Sequence, residues 1–165
     1  MKEFNTDVLI VGSGLVGLVA AHCLSSLNYK VILADKKNLI NSQNSFKDTR
    51  TVAVSEGSKL FLENLSLWGC LESYAEPIKN INVYDRSSHN KILFSNQIKN
   101  KKLGYVIENK KFSKILINQL NKFKNTKLQY GFNLVNAELN DKNTRAFSNN
   151  SIINSKILKC IMVLI

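Results

Sequence analysis

The segment Thr6–Asp35, TDVLIVGSGLVGLVAAHCLSSLNYKVILAD, decides the fold. It begins with a continuous apolar run, Thr6–Val11, that is rich in β-forming residues and ends at a glycine. Such a run is typical of a strand that is covered on both faces in a parallel sheet. Small and apolar residues then follow at helical spacing for about three turns, and Lys30–Asp35 has the pattern of a second buried strand. The segment therefore predicts strand, loop, helix and strand in that order, the first unit of an α/β fold.

The loop between the first strand and the helix has the sequence GSGLVG, a GxGxxG motif at residues 12–17. Gly12 permits a tight turn, Gly14 allows the backbone to approach a pyrophosphate, and Gly17 allows the helix to pack closely on the strand. The helix N-terminus adds unpaired N–H groups and a partial positive charge. Because the motif follows a buried strand and opens a helix, it predicts a Rossmann-like dinucleotide site that includes Ser13. The alternative is that these glycines serve packing alone.

An acidic residue, Asp35, ends the second strand about twenty residues after the loop. A carboxylate in that position can accept hydrogen bonds from the two hydroxyls of a ribose. Its negative charge would repel the additional phosphate of NADP, so NADP is disfavoured as the ligand of this loop. The motif does not distinguish FAD from NAD, and both remain candidates.

The composition favours an ordinary globular protein. Its 165 residues carry a net charge of +11, which alone would suit a nucleic-acid or membrane partner. Of the 23 basic residues, however, only three are Arg, and the lysines are spread along the chain without interleaved aromatic residues. Proteins that read phosphates and base edges rely on Arg, so we expect no nucleic-acid partner.

The cysteines and histidines form no reactive cluster in the sequence. Cys23, Cys70 and Cys160 lie far apart without CxxC or Cys/His spacing, so neither a metal site nor a disulfide framework is predicted. His22 falls inside the predicted helix and His89 in a Ser/Asn-rich turn, where structural or solvent-exposed roles are expected. We therefore assign no catalytic residue.

The rest of the chain predicts further helices and strands. Lys36–Arg50 is polar and typical of a loop, and Ser55–Trp68 has helical periodicity with Ser55 as its cap. After Pro77, short alternating runs predict a separate, more antiparallel sheet. The predicted strands are Ile81–Asp85, Lys91–Ser95 and Gly104–Glu108, followed by a helix at Phe112–Phe123 and strands at Lys127–Leu139 and Ser151–Ile161.

Three ordered blocks beyond the loop carry a family resemblance. They are DTRTVAVSEGSKLFLENLSLW (Asp48–Trp68), PIKNINVYD (Pro77–Asp85) and LGYVIENKKFSKIL (Leu103–Leu116). In this order they resemble the FAD-dependent aromatic-ring hydroxylases of ubiquinone biosynthesis, within the class A flavoprotein monooxygenases. With the glycine loop, the resemblance covers most of residues 5 to 120.

The resemblance implies a cofactor and a reaction. It implies FAD, with its AMP half on Gly12, Gly14, Gly17 and Asp35, and with Arg50 near the cofactor; the alternative for Arg50 is an ion pair with Asp48. It further implies NAD(P)H as electron donor and O₂ as the source of a hydroxyl oxygen. The implied substrate is a polyprenylated phenol, a small molecule whose ring is hydroxylated while the protein orients it and excludes water.

The same resemblance implies a division of the chain. Residues 1–76 would form the region that binds the AMP half of FAD, residues 77–109 part of a second, mostly antiparallel substrate-domain sheet, and residues 110–165 a return to the FAD-binding region. The family carries two further motifs, ADG..S and GD, that this sequence lacks. We therefore expect a truncated, N-terminal fragment without hydroxylase activity of its own.

The last residues, SKILKCIMVLI at 155–165, suggest how such a fragment could arise. A reading of Cys-Ile-Asp-Gly-Ala-Asn would match the missing first motif, and loss of a single G from its codons gives Cys-Ile-Met-Val-Leu-Ile. A frameshifted gene is thus one hypothesis. Two alternatives remain beside the hydroxylase fragment: an NAD-binding dehydrogenase domain, and a non-enzymatic remnant.

Location and assembly are weakly determined by the sequence. The terminal apolar run is about nine residues long, whereas a membrane-spanning helix needs roughly 20, and no pattern of a signal peptide precedes the first strand. We expect a cytoplasmic protein, with peripheral contact at the inner face of the membrane as a candidate interaction. The sequence leaves the oligomeric state open.

Overall fold

The computed structural model describes residues 1–37, 49–85, 90–95, 102–140 and 143–160. The chain divides into two compact units, one formed by Met1–Asp48 and Ser113–Ile165 and the other by Thr49–Phe112. The predicted functional regions 1–76, 77–109 and 110–165 concern cofactor and substrate binding, and they remain predictions.

The described residues form eleven strands, four α-helices and one 3₁₀-helix. In chain order they are β1 (Lys2–Val11), α1 (Leu15–Ser26), β2 (Val31–Asp35), β3 (Thr51–Ser55), α2 (Glu56–Asn64), α3 (Trp68–Leu71), a 3₁₀-helix (Glu72–Tyr74), β4 (Glu76–Ile78), β5 (Asn80–Tyr84), β6 (Lys91–Ser95), β7 (Gly104–Glu108), α4 (Asn109–Leu120), β8 (Thr126–Tyr130), β9 (Asn136–Leu139), β10 (Thr144–Phe147) and β11 (Ser151–Cys160). The predicted strand, loop, helix and strand of the N-terminal segment are confirmed. None of the helices in the described part of the chain has the length and apolar character that a membrane crossing requires.

The first unit is built on one six-stranded sheet with the order β8-β2-β1-β11-β10-β9. Strands β8, β2, β1 and β11 are parallel, and β11, β10 and β9 form an antiparallel meander. From β1 the chain moves outward to β2 and β8, and β11 then pairs with the opposite side of β1. The strand order therefore reverses at β1 and β11, which is where ligands bind in open α/β sheets.

Apolar side chains from both halves of this sheet form its core. Leu9 of β1 and Ala34 of β2 are fully buried, as are Ala146 and Ile153 from the meander, and Phe132 packs among them. All four residues Val31–Ala34 of β2 are buried, so β2 is covered on both faces, as its continuous apolar sequence predicts.

The pairing of β1 with β11 is long and is reinforced by polar side chains. It runs from Lys2↔Ser151 to Val11↔Cys160. Lys156 forms an ion pair with Asp7 at 2.8 Å, and Asn154 donates a hydrogen bond to Glu3 at 2.7 Å. The predicted C-terminal strand is confirmed through Cys160, and residues 161–165 lie outside the described residues.

The second unit contains two antiparallel sheets. Strands β3, β7 and β4 form a three-stranded sheet, in the order β3-β7-β4, and β5 pairs with β6 alone. The predicted α/β class, with a Rossmann-like sheet and additional antiparallel strands, is confirmed. The sequence does not predict the short strands β3, β4 and β10, and it predicts β8 and β9 as one continuous run. Gly131, with φ of 77°, ends β8 between them.

The helix predicted at Ser55–Trp68 is shorter in the structure. Its start is correct, because the Ser55 hydroxyl accepts a hydrogen bond from the Ser58 N–H at 3.1 Å. The helix ends at Asn64, and Ser66 takes a left-handed φ of 57°, which breaks the helical path before α3 begins at Trp68. Leu62 supplies the buried side chain of α2.

Candidate functional site

The glycine loop lies at the carboxyl edge of the parallel strands. Val11, the last residue of β1, is paired with Ala34 of β2 on one side and with Cys160 of β11 on the other. The chain then enters the loop at Gly12, beside the point where the strand order reverses. Parallel strands end together at this edge, so loop residues from several strands converge there.

Gly12 and Gly17 set the shape of the loop. Gly12 has φ of 111°, which side-chain-bearing residues rarely adopt, and its N–H donates to the Ala34 carbonyl at 2.8 Å. A Cβ atom added at Gly17 would overlap the carbonyl oxygen of Gly12 and lie 3.6 Å from Leu33 Cδ1. The tight turn and the close packing predicted for these two glycines are thus present.

Gly14 faces open space at the N-terminus of α1. It is the N-cap residue, with φ of −64° and ψ of 175°, and no side chain caps the helix. A Cβ atom added here would meet nothing within 4 Å. The first-turn N–H groups of a helix have no intrahelical acceptor. This end of α1 therefore offers donors and room that fit a phosphate group.

The Asp35 carboxylate is joined to this loop by Ser13. One oxygen, Oδ2, accepts hydrogen bonds from the Ser13 N–H and the Ser13 hydroxyl, each at 2.7 Å. The other oxygen, Oδ1, accepts the Lys37 N–H at 2.9 Å. Ser13 is 1% exposed, so its hydroxyl is buried inside the loop. The loop and the end of β2 thus form one connected group.

These hydrogen bonds keep Asp35 ionised. Burial by itself raises the pKa of Asp35, but the Lys37 N–H, both donors of Ser13 and the charge of Lys36 together hold that pKa below its usual value. On β8, Tyr130 is paired directly with Asp35, and burial together with the Asp35 charge raises the pKa of its phenol. A negative charge is therefore fixed at the carboxyl edge of the sheet.

The hydrogen-bonding capacity that Asp35 has left is enough for one of the two hydroxyls of a ribose. A carboxylate has about four lone-pair sites, and Ser13 and Lys37 use three of them. One hydroxyl of a ribose can therefore bind directly at Oδ1, while a second requires the Ser13 hydroxyl to turn away. The residues present fit the adenosine half of a dinucleotide, provided that Ser13 can exchange its partner.

The structure brings together five of the six predicted site residues: Gly12, Ser13, Gly14, Gly17 and Asp35. The sixth, Arg50, lies in the second unit, where it precedes β3 and its carbonyl accepts the Asn109 N–H at 3.0 Å. Asp48, its alternative partner, is outside the described residues. Sequence reasoning did not find Tyr130, whose place beside Asp35 depends on pairing between strands nearly one hundred residues apart.

His22 and Tyr105 both pack against aromatic rings. The His22 ring packs edge-on against Phe123, with 5.0 Å between ring centroids, and burial lowers its pKa. Tyr105 makes a similar edge contact with Trp68 at 4.9 Å. Within the described ranges, no group of three or more His, Cys, Asp and Glu side chains is arranged to hold a metal ion.

Comparison with known proteins shows which proteins this chain is similar to. The family model described as an NAD(P)-binding Rossmann-like domain matches residues 10–63, which include the loop and Asp35. Ubiquinone hydroxylase UbiL of Rhodospirillum rubrum is 28% identical over 114 residues, covering 69% of this chain and 27% of the relative. The ubiquinone biosynthesis monooxygenase COQ6 of Dictyostelium discoideum is 24% identical and covers 95% of this chain and 34% of the relative.

Solved structures show the same fold. p-Nitrophenol 4-monooxygenase PnpA of Pseudomonas putida superposes with a TM-score of 0.75 at 15% identity, covering 97% of this chain and 41% of that one. The flavin-dependent monooxygenase PieE, solved with FAD and substrate, gives 0.70 at 15% identity, covering 96% and 30%. At low sequence identity, the chain is similar to FAD-dependent aromatic hydroxylases. It spans about a quarter to a third of the length of the two curated relatives.

Proposed function

We propose that this chain binds FAD through the Gly12–Gly17 loop and Asp35. The observation that carries the proposal is the connected group at the carboxyl edge, where an uncapped helix N-terminus lies beside an ionised carboxylate. The N–H groups of α1 would hold the pyrophosphate, and Asp35 would orient the ribose. Arg50 is proposed as a further residue near the cofactor, supported by its position in the DTR block of the sequence.

The reaction proposed for the whole protein is hydroxylation of an aromatic ring. Two relatives are named for ubiquinone hydroxylation and biosynthesis, which supports a polyprenylated phenol as substrate, with NAD(P)H as electron donor and O₂ as oxidant. The bound flavin would supply the oxidation chemistry, and the protein would supply binding and orientation. These 165 residues would contribute cofactor binding, and we expect no turnover from them alone.

Titration of the purified chain with FAD, ADP and NAD⁺ tests the proposal. FAD and ADP should compete for one site, and FAD fluorescence should change on binding. NAD⁺ binding without FAD binding would instead favour the dehydrogenase alternative, which the name of the matched family model supports. Absence of binding by all three nucleotides would leave only the non-enzymatic alternative.

A control variant makes the titration specific for the loop. In Gly14→Val, a branched side chain fills the open space next to the helix N-terminus, so nucleotide affinity should fall at least about tenfold. Gly69→Val introduces the same side chain in α3, in the other unit and also in open space, and should leave affinity unchanged. Equal affinity for both variants would show that FAD binds elsewhere.

A further inference from the structure

One oxygen of the Asp35 carboxylate is already saturated by donors of the protein itself. Both donors of Ser13, its N–H and its hydroxyl, lie 2.7 Å from the same oxygen, Oδ2. Each oxygen of a carboxylate has about two lone-pair sites, so these two hydrogen bonds fill Oδ2. The N–H belongs to the backbone of the loop, whereas the hydroxyl belongs to a side chain that can rotate. The hydroxyl bond is therefore the one that a ligand could replace.

The other oxygen of Asp35, Oδ1, keeps one open acceptor site. It accepts the Lys37 N–H at 2.9 Å, which leaves one of its two lone-pair sites. The strand register places Tyr130 beside Asp35, on the side opposite to the loop. The buried Tyr130 hydroxyl has no hydrogen-bond partner among the described residues, so it does not occupy this site. The free protein thus offers a ligand one open acceptor at Oδ1 and an occupied one at Oδ2.

The burial of Ser13 opposes the release of its hydroxyl from Asp35. Because the residue is 1% exposed, a hydroxyl that turns away from Asp35 does not reach water. A buried hydroxyl that has lost its acceptor is unfavourable. A second ribose hydroxyl would gain a hydrogen bond to Oδ2 only by breaking one of the same kind within the protein. The exchange therefore brings no net gain in hydrogen bonds and leaves a buried donor unpaired.

We propose that Ser13 is a positioning residue that restricts Asp35 to one hydroxyl of a bound ribose. Ser13 acts on the nucleotide through Asp35, because its hydroxyl holds Oδ2 while the open site at Oδ1 receives one ribose hydroxyl. The inference rests on the proposed nucleotide binding, and it adds which groups of the nucleotide the site recognises. A ribonucleotide that lacks one of its two ribose hydroxyls is therefore an adequate ligand.

The proposal implies that stability and affinity change in opposite directions at Ser13. In the free protein the Ser13 hydroxyl stabilises the fold through Asp35. Without that hydroxyl, Oδ2 has an open site that the second ribose hydroxyl can fill. The Ser13→Ala variant should therefore bind ADP more tightly than the wild type, although it is less stable. A purely structural role of Ser13 predicts lower stability together with equal or lower affinity.

Titration of the wild-type chain with ADP, 2′-deoxy-ADP and 3′-deoxy-ADP tests the proposal without any variant. Because Asp35 binds one hydroxyl, at least one of the two deoxynucleotides should bind within about twofold of ADP. Affinities at least about tenfold lower for both deoxynucleotides would show that Asp35 binds both hydroxyls, and would overturn the proposal. This series gives its answer even if Ser13→Ala does not fold.

The same three nucleotides separate the variant from the wild type. In Ser13→Ala, ADP affinity should rise about five- to twentyfold, because the second ribose hydroxyl now binds a charged acceptor. Both deoxynucleotides should bind this variant at least about fivefold more weakly than ADP does, so the selectivity changes together with the affinity. Circular dichroism verifies folding. Equal or lower ADP affinity in folded Ser13→Ala would overturn the proposal.

Ser26→Ala is the matched control, because it removes a hydroxyl at the other end of α1. That hydroxyl donates to the backbone carbonyl of Cys23 at 2.7 Å. ADP affinity and selectivity should stay within about twofold of the wild type, and a gain equal to that of Ser13→Ala would contradict an effect through Asp35. Wild-type binding of FAD and ADP without a gain in Ser13→Ala overturns this inference alone. Wild-type binding of neither nucleotide overturns the proposed function as well.

Discussion

Ser13 donates two hydrogen bonds, from its N–H and its hydroxyl, to the same oxygen of Asp35, 22 residues later in the chain. The two residues come from different structural elements, the loop after β1 and the end of β2. Their contact links the conformation of the glycine loop to the ionisation of the carboxylate. It also means that a second ribose hydroxyl of a nucleotide would compete with the Ser13 hydroxyl for Asp35 Oδ2.

The Ser13→Ala variant should lose stability in a pH-dependent way. The folded-state pKa of Asp35 lies below its unfolded value of 3.8, so ionised Asp35 stabilises the fold above that value, and this contribution is lost as pH falls through the folded pKa. Removing the hydroxyl raises the folded pKa. The melting temperature should therefore fall by about 2–4 °C near pH 7, for a loss of about 1 kcal/mol, and the difference should narrow only as pH falls below 3.8 toward the folded pKa.

The Ser26→Ala variant provides the control for that measurement. The Ser26 hydroxyl donates to the backbone carbonyl of Cys23 at 2.7 Å, within its own helix. Any loss of stability in Ser26→Ala should be the same above and below pH 3.8, because neither partner titrates. A parallel pH dependence in both variants would contradict the role assigned to Ser13.

The Asp35→Asn variant should weaken nucleotide binding and change its selectivity. Loss of the charge removes a charge-assisted hydrogen bond to the ribose, which predicts a roughly ten- to hundredfold lower affinity for ADP. It also removes the repulsion of a 2′-phosphate, so the preference for ADP over its 2′-phosphorylated form should narrow. Calorimetric titration of both nucleotides measures the two effects.

Asp7→Asn is the matched control for the charge change. Asp7 lies in the middle of β1, where its carboxylate accepts the Lys30 N–H and pairs with Lys156. This variant removes one negative charge from the same unit without touching the loop. Its affinity for ADP should equal that of the wild type. A similar loss in both variants would indicate a general electrostatic effect and would contradict ribose binding by Asp35.

The local parts of the fold were predictable because their signals are short in sequence. The apolar run of β1, the glycine loop and the end of β2 lie within thirty residues, and the Ser55 cap contacts a residue three positions away. By contrast, β10 has four residues and exists through pairing with β9 and β11. A strand of that length has too few residues for a periodic pattern, so only tertiary pairing defines it.

The candidate site likewise contains residues that the sequence predicts and contacts that it does not predict. Spacing and residue type predicted the glycines and Asp35, since each answers a local backbone or hydrogen-bonding requirement. The neighbour of Asp35 on β8, Tyr130, could not be predicted, because strand register is set by packing across the whole sheet. The hydrogen bond from the Ser13 hydroxyl to Asp35 could not be predicted either, because it depends on the side-chain rotamer of Ser13, which the motif does not determine.

The Asn125→Ala variant should destabilise the first unit. The Asn125 side-chain amide donates to Ser25 O at 2.9 Å and to Tyr29 O at 2.7 Å, and so holds the C-terminal end of α1 near the start of β8. Loss of both bonds should cost about 1–3 kcal/mol, measured by urea unfolding. Asn133→Ala, at an exposed position after β8, should cost less than about 0.5 kcal/mol. Equal costs would contradict a role of Asn125 in anchoring α1.

Substitution by alanine should lower stability at Gly17 and FAD affinity at Gly14. Gly17→Ala places a methyl group against the Gly12 carbonyl, so the loop or α1 must shift, and stability should fall by about 2 kcal/mol or more.

In Gly14→Ala, the added methyl group meets nothing within 4 Å, and the backbone conformation is one that alanine adopts. The melting temperature should therefore change by less than about 3 °C. Its affinity for FAD should nevertheless fall, because the methyl group occupies the space next to the first-turn N–H groups. Thermal unfolding and FAD titration of both variants separate loop shape from ligand space, and unchanged FAD affinity in Gly14→Ala would contradict phosphate binding at this helix end.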